Sequence, residues 1–289
     1  MPASVAAVGA AVELLHAASL VIDDIQDGSQ ERRGRPSLHA TYGSPIAINV
    51  ANWLYFEALA GLSAAAPLPD GHPQGPALAL QRGTTVMSRC HMGQALDLAA
   101  SRPETIAALL DGADGDADAY YDLAAKLKTA ELMAFAIGAV VDLLGSVAQE
   151  RAVLNVQDLA PALGLLYQQA DDLRNVSRTL SGAKAGEDFD SLRNTVAIHM
   201  LRSLDRESRQ HLATAARSSS ANLAQWMQQR PEFRRAVNSI CEEVRVGLQA
   251  AAAMANSCHE ASAGYLNAVF LAPTIAIVDV VQDEVRSQP

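Results

Sequence analysis

The chain has 289 residues, 22 basic and 32 acidic, for a formal net charge of −10, which argues against a nucleic-acid groove because phosphate-backbone binding needs a basic surface field. With 49% apolar and 19% charged residues, disorder is excluded and a single domain over residues 1–289 is expected. Aromatics are 4% while alanine, the strongest helix former, occurs 55 times, and three scattered cysteines without CxxC spacing point to a reducing, cytoplasmic setting without structural zinc.

Residues 4–27 lack any turn residue except Gly9 and predict one long helix. Gly28-Ser29 and Gly34-Arg35-Pro36 break it, and Gly43-Ser44-Pro45 opens another helical run through Asn49, Asn52 and Phe56. Residues 66–76, rich in proline and glycine, form a loop. Helices are expected over Leu78–Ala100, Tyr120–Leu144 and Leu159–Val176, with an acidic connection over 111–118 and a polar loop over 177–195. Residues 196–288 read as helices broken near Ser218–Ser220, Pro231 and Pro273. No run alternates with period two for long enough to predict a sheet, so the fold class is all-α. The first 22 residues are apolar but hold Glu13 and His16 and lack a basic start, which argues against a signal peptide. The stretch from Tyr265 to Val281 is interrupted by Asn267, Pro273 and Asp279, and no membrane span is expected.

Chemistry concentrates in two acidic segments. Asp23, Asp24 and Asp27 end an apolar run, with Asp23 and Asp27 on one helix face. Three carboxylates in five residues repel one another unless a cation neutralises them, and magnesium takes oxygen ligands that it shares with substrate phosphates. A solvated helix end is the alternative, but the preceding LLHAASLVI has no exposed face, so the charge needs compensation. Asp171, Asp172 and Asn175 repeat the pattern after a second apolar helix. If the two helices face each other, they form a cage in which several Mg²⁺ ions clamp a diphosphate and draw off its charge as it leaves. Arg32 and Arg33 follow the first cluster, Arg193 closes the loop after the second, and the three lysines are Lys126, Lys128 and Lys184. Such cations suit a leaving diphosphate, although surface solubility would also account for them.

The stretch LLHAASLVIDDIQDGSQERRGRPSLHATYGSPIAINVANWLYF resembles the first aspartate-rich region of trans-isoprenyl diphosphate synthases, most like that of the eukaryotic-type geranylgeranyl diphosphate synthases. HMGQALDL, KLKTAELMAFAIGA, LLYQQADDLRN and KAGEDFDSLRNT resemble four further motifs of that family, in the same order. The resemblance implies an all-α, isoprenoid-synthase-type helical bundle around a deep central cavity, assembled as a homodimer. It implies three Mg²⁺ ions held by Asp23, Asp24, Asp27, Asp171 and Asn175. It implies that Arg32, Lys128, Gln168, Lys184 and Arg193 bind an allylic prenyl diphosphate, with Arg33, Gln94 and Thr129 as further substrate-binding residues. Asp23, Asp27, Asp171 and Lys128 would carry its ionisation. Family members limit chain length with bulky residues four and five positions before the first aspartate. Here these are the small Ser19 and Ala18, which implies a deep pocket.

The chain departs from the family in two places. The segment that binds isopentenyl diphosphate normally precedes the first aspartate by some distance, whereas here no Lys or Arg precedes Asp23 and only Arg33 remains of the acceptor set. Leu192 and Arg193 replace a Gly and a Lys. Three expectations follow: a terpene-synthase-like enzyme whose cation is quenched within its own chain, by water or by another acceptor; an elongating geranylgeranyl diphosphate synthase whose start lies upstream; or a non-catalytic partner of an active synthase. Met133, Phe135 and Tyr167 are candidates to line a cation cavity, with core packing the commoner role. Trp53, Tyr55 and Phe56 are candidate dimer anchors. His39 and His91 are expected to be packed and hydrogen-bonded, with Cys90 a faint hint of a zinc or redox pair.

Overall fold

The computed structural model describes residues 2–100, 121–144, 151–181, 194–218, 226–256, 264 and 266–287. Lys184 and Arg193, the acidic connection over 111–118 and Cys258 lie outside the described residues. Helices dominate: α1 (Ala3–Gln26), α2 (Leu38–Tyr42), α3 (Ser44–Ser63), α4 (Gly75–Ala100), α5 (Glu131–Leu144), α6 (Arg151–Val176), α7 (Arg178–Ser181), α8 (Thr195–Ser203), α9 (Arg206–Ser218), α10 (Pro231–Asn256) and α11 (Ala272–Ser287). Two π-helical turns, Lys126–Ala130 and Asn267–Leu271, lead directly into α5 and α11. The chain divides into two compact units, one of residues 1–88 with 132–157, the other of residues 89–131 with 158–289.

In the first unit α1 packs on α3. Val8, Ala11, Leu15 and Ala18 recur every three or four residues and are buried, as are Ala47, Ala51, Ala58 and Leu62 of α3. Alanine on both helices lets the axes approach closely, and each buried methyl still adds apolar area removed from water. A Cβ at Gly83 of α4 would lie 3.2 Å from Leu62 Cδ1 and 3.3 Å from the Phe135 ring, so the glycine makes room for a fully buried phenylalanine. Arg82 grips Asp142 of α5 through two nitrogens, Nε at 2.7 Å and Nη2 at 2.9 Å. Helix α1 is long and apolar enough to cross a bilayer by length and composition alone. Its stripe against α3 and the acids that end it make it a helix of the fold instead.

The second unit is centred on α10, where Phe233, Val237, Ile240, Val244 and Leu248 form one buried stripe packed against α8 and α11. Leu173, Met200, Leu212 and Met227 complete the interior. Glu284 of α11 accepts from Ser177 Oγ at 2.5 Å and from the Thr179 N–H at 3.3 Å, which fixes the corner between α6 and α7. Burial, aided by the Glu131 charge, pushes the Cys90 thiol up to about 12. That makes it a poor zinc ligand or redox thiol at neutral pH.

Three elements differ from the sequence reading. A two-stranded ribbon, β1 (Glu31–Arg32) paired antiparallel with β2 (Arg35–Pro36), appears where no strand was expected, because two residues per strand carry no visible alternation. Helix α6 begins at Arg151 rather than Leu159, so that Pro161 lies inside the helix. Pro273 does not end the helical run, since it lies two residues into α11, directly after the π-helical turn.

Candidate active site

Helix α1 ends in a glycine-terminated cap. Gly28 has φ 67°, its N–H reaches Ile25 O, and the Ser29 N–H bonds Asp24 O at 2.9 Å, the pattern that closes a helix with a left-handed glycine. The ribbon then folds the chain back. Its two-residue loop is Arg33-Gly34, with φ 53° and 74°, the paired positive values that a tight hairpin requires. Arg32 thereby returns to the acids: its Nε donates to Asp24 Oδ1 at 2.7 Å and its Nη2 lies 3.5 Å from Asp23 Oδ2. Asp24 is buried, Asp23 is half-buried and Asp27, at the cap, is exposed. All three carboxylates occupy the negative end of the α1 dipole, and the last turn has no basic residue of its own. His16, on the same stripe as Asp23 and Asp27, has its pKa lowered by burial; the Arg33 and Arg32 charges add to this and Glu13 opposes it.

The second acid cluster also lies in the last turns of a helix, α6. Asp172 is buried, whereas Asp171 and Asn175 are half-buried. The Asp172 carboxylate accepts from Tyr121 Oη at 2.8 Å, from Gln168 Nε2 at 3.0 Å and from the Thr195 N–H at 2.8 Å. Asn194 caps α8 through the Val196 N–H at 2.8 Å and donates its Nδ2 to Asp172 O at 3.0 Å. Burial, then the Asp172 charge and hydrogen bond, hold the Tyr121 hydroxyl well above its ordinary value, so it remains a donor. Gln168 in turn accepts from Thr129 Oγ1 at 2.8 Å.

Lys128 and Thr129 ride on the π-turn between two close approaches. A Cβ at Gly93 of α4 would come 2.6 Å from the Lys128 nitrogen, and one at Gly164 of α6 would meet Ala130. Single π-turns inside helices are a frequent mark of functional sites. The Lys128 Nζ rests 2.9 Å from Asp97 Oδ2, and Gln94 stands one turn before Asp97 on α4.

Within the first unit, then, Arg32 joins Asp23 and Asp24, with exposed Arg33 beside them. Within the second, Thr129, Gln168, Asp172 and Tyr121 form one hydrogen-bonded chain, and Lys128 pairs with Asp97. Tyr121 and Asp97 were not among the expected site residues. Tyr121 precedes Lys128 by two helical turns on the same face, and that spacing was the available signal. Of the two residues expected to set pocket depth, Ala18 is buried against α3, and Ser19 donates its hydroxyl to His16 O at 2.8 Å. Phe135 is a core residue, whereas Tyr167 is exposed with its ring 6.2 Å from that of Phe270. His39 pairs with Ser37 Oγ at 3.1 Å as expected, but His91 is exposed rather than packed.

A match to the polyprenyl synthetase family runs over residues 2–230. The chain belongs to this family. A geranylgeranyl pyrophosphate synthase from Eremothecium gossypii is 45% identical over 95 residues, 32% of this chain and 29% of that protein. A short chain isoprenyl diphosphate synthase from Methanocaldococcus jannaschii is 29% identical over 206 residues, 70% of this chain and 58% of that protein. The chain therefore spans less than two thirds of the length of either relative. Among solved structures, a heptaprenyl diphosphate synthase from Staphylococcus aureus superposes with a TM-score of 0.70 at 17% identity, covering 94% of this chain and 79% of that one. A geranylgeranyl pyrophosphate synthetase from Pyrococcus horikoshii gives 0.67 at 17%, covering 96% and 78%. These likenesses establish the all-α prenyl synthase fold.

Proposed function

We propose that this chain ionises an allylic prenyl diphosphate, of farnesyl or geranylgeranyl size, in a magnesium-dependent reaction. The observation that carries the reading is the shared construction of the two acid clusters. Each ends a helix, buries one acid on internal donors, and leaves two oxygen-bearing side chains one turn apart toward the surface of its unit: Asp23 with Asp27, and Asp171 with Asn175. Among the described residues no group of three His, Cys, Asp or Glu side chains is poised to hold a metal unaided. The donors are hard oxygens at the negative ends of two helix dipoles, which fits Mg²⁺. Three ions would be shared among Asp23, Asp27, Asp171 and Asn175, while the burial of Asp24 gives it the task of holding Arg32.

Bound magnesium would place positive charge on the diphosphate oxygens as the carbon–oxygen bond breaks. Arg32, Lys128, Thr129 and Gln168 orient the diphosphate, with Arg33, Gln94, Lys184 and Arg193 as further contacts. Lys128 begins on Asp97 and would exchange that carboxylate for a phosphate oxygen when substrate arrives, so its charge stays compensated throughout. Residues 1–289 act as one functional domain. The exposed apolar stripe of α3, with Ile46, Trp53 and Phe56 between 53% and 70% exposed, supports a homodimer, and the setting is cytoplasmic.

Two fates of the cation follow. The relatives named as geranylgeranyl and short-chain isoprenyl synthases support elongation with isopentenyl diphosphate. Quenching within the chain, by water or by another acceptor is the other fate. Product analysis by gas chromatography, with and without labelled isopentenyl diphosphate, separates them. Efficient incorporation into a longer diphosphate means elongation. A hydrocarbon or alcohol formed from the allylic diphosphate alone means terpene-synthase-like chemistry. Release of no diphosphate from any allylic substrate overturns the proposal.

A further inference from the structure

The buried acid of the second cluster stands apart from its neighbours. On α6, Asp171 and Asn175 share one face, four residues apart. Asp172 points a quarter-turn away, is only 4% exposed, and faces Tyr121, Gln168 and the first N–H of α8. The carboxylate thus meets the positive end of the α8 dipole. Tyr121 belongs to the same helical run as Lys128 and Thr129, two turns ahead of Lys128. One carboxylate therefore ties together the helix that carries Asp171, the start of α8, and the segment that carries the basic and hydroxyl donors.

We propose that Tyr121 and Asp172 form a lock that positions Asp171, with Asp172 withheld from metal and Tyr121 keeping it withheld. The inference rests on the proposed ionisation reaction. Both residues act through others and are positioning residues. Without the Tyr121 hydroxyl, Asp172 loses one of its three described donors and its carboxylate is held less tightly. Asp171 then meets an incoming magnesium diphosphate from a less defined direction, and more metal is needed to assemble the site. Once assembled, the bond-breaking step proceeds with the same ligands.

The test compares wild type, Tyr121→Phe and Asp171→Asn in diphosphate release from geranylgeranyl diphosphate across a MgCl₂ series. For Tyr121→Phe the half-saturating Mg²⁺ concentration rises about tenfold while kcat at saturating Mg²⁺ stays within about threefold of wild type. For Asp171→Asn turnover is lost and excess Mg²⁺ does not restore it. A Tyr121→Phe enzyme that melts earlier but keeps the wild-type Mg²⁺ dependence overturns the lock, because a merely structural hydrogen bond would behave in that way. Thermal unfolding of the Tyr121→Phe and Asp172→Asn single and double variants reads the pair without turnover. Coupling between the two substitutions shows that the hydrogen bond is made, and simple additivity overturns the lock. If wild type itself releases no diphosphate, the proposed reaction falls and takes the lock with it, whereas additivity or an unchanged Mg²⁺ dependence beside an active wild type overturns the lock alone.

Discussion

Alanine at Gly93 would put a Cβ 2.6 Å from the Lys128 backbone nitrogen, 2.7 Å from Leu127 Cβ and 2.9 Å from Leu127 C. Two of these three atoms are backbone and cannot rotate away. Ordinary contact begins at 3.4 Å, so the π-turn must retreat by roughly 0.5–0.8 Å, an overpacking strain of about 1–3 kcal/mol. For a chain of this size, that corresponds to a fall in Tm of about 2–5 °C. The retreat carries Lys128 away from Asp97 and Thr129 away from Gln168, whose hydrogen bonds are 2.9 and 2.8 Å long. Since a misplacement of about 1 Å can cost about 100-fold in rate, Gly93→Ala is expected to lower kcat/KM by about 10- to 100-fold. The assay is Mg²⁺-dependent diphosphate release at a temperature well below the Tm of the variant, alongside a thermal melt. A variant with wild-type kcat/KM and an unchanged Tm would refute the close approach of α4 to the π-turn.

Two further outcomes follow from the geometry. Arg33 has φ 53°, a left-handed backbone that costs a side-chain-bearing residue about 1–2 kcal/mol, partly offset in a glycine by its freer unfolded chain. Arg33→Gly is therefore expected to raise stability by about 0.5–1 kcal/mol in urea unfolding while raising KM for a diphosphate substrate; a less stable variant would contradict the strain. The second outcome concerns pH. Burial raises Cys90 to about 12 and Cys241 to about 11 from 9.0, and Tyr121 well above 10.0. The unfolded chain releases these protons first, so their share of stability is full below pH 9 and is lost as pH rises through about 11–12. Tm is expected to fall between pH 9 and 11, less steeply in a Cys90→Ala, Cys241→Ala double variant, and equal slopes would contradict the burial of the thiols.

The long elements were legible because their apolar spacing is long. Helix α1 and α3 follow the sequence reading to within a few residues, punctuated by Gly28 and by Gly43-Ser44-Pro45. Short features were not legible. The ribbon that returns Arg32 to Asp24 has two residues per strand, and only the Arg33-Gly34 pair hinted at its turn. Asp24 and Asp172 were read alongside their neighbours as one acidic patch each, since sequence spacing cannot tell which carboxylate turns inward. Burial decides this, through donors as distant in the chain as Tyr121 and Thr195. The π-turn was equally hidden, because Lys126–Ala130 has the composition of an ordinary helix and the two glycines that accommodate it, Gly93 and Gly164, lie on other helices.

Magnesium-dependent release of diphosphate from geranylgeranyl diphosphate, measured for wild type, Asp23→Ala and Asp171→Ala, tests the joint action of the two acid clusters most directly. The account predicts rapid release by wild type and loss of nearly all turnover in each variant, with circular dichroism unchanged. Substantial turnover in either variant would contradict it, because one cluster alone would then be enough to expel the diphosphate.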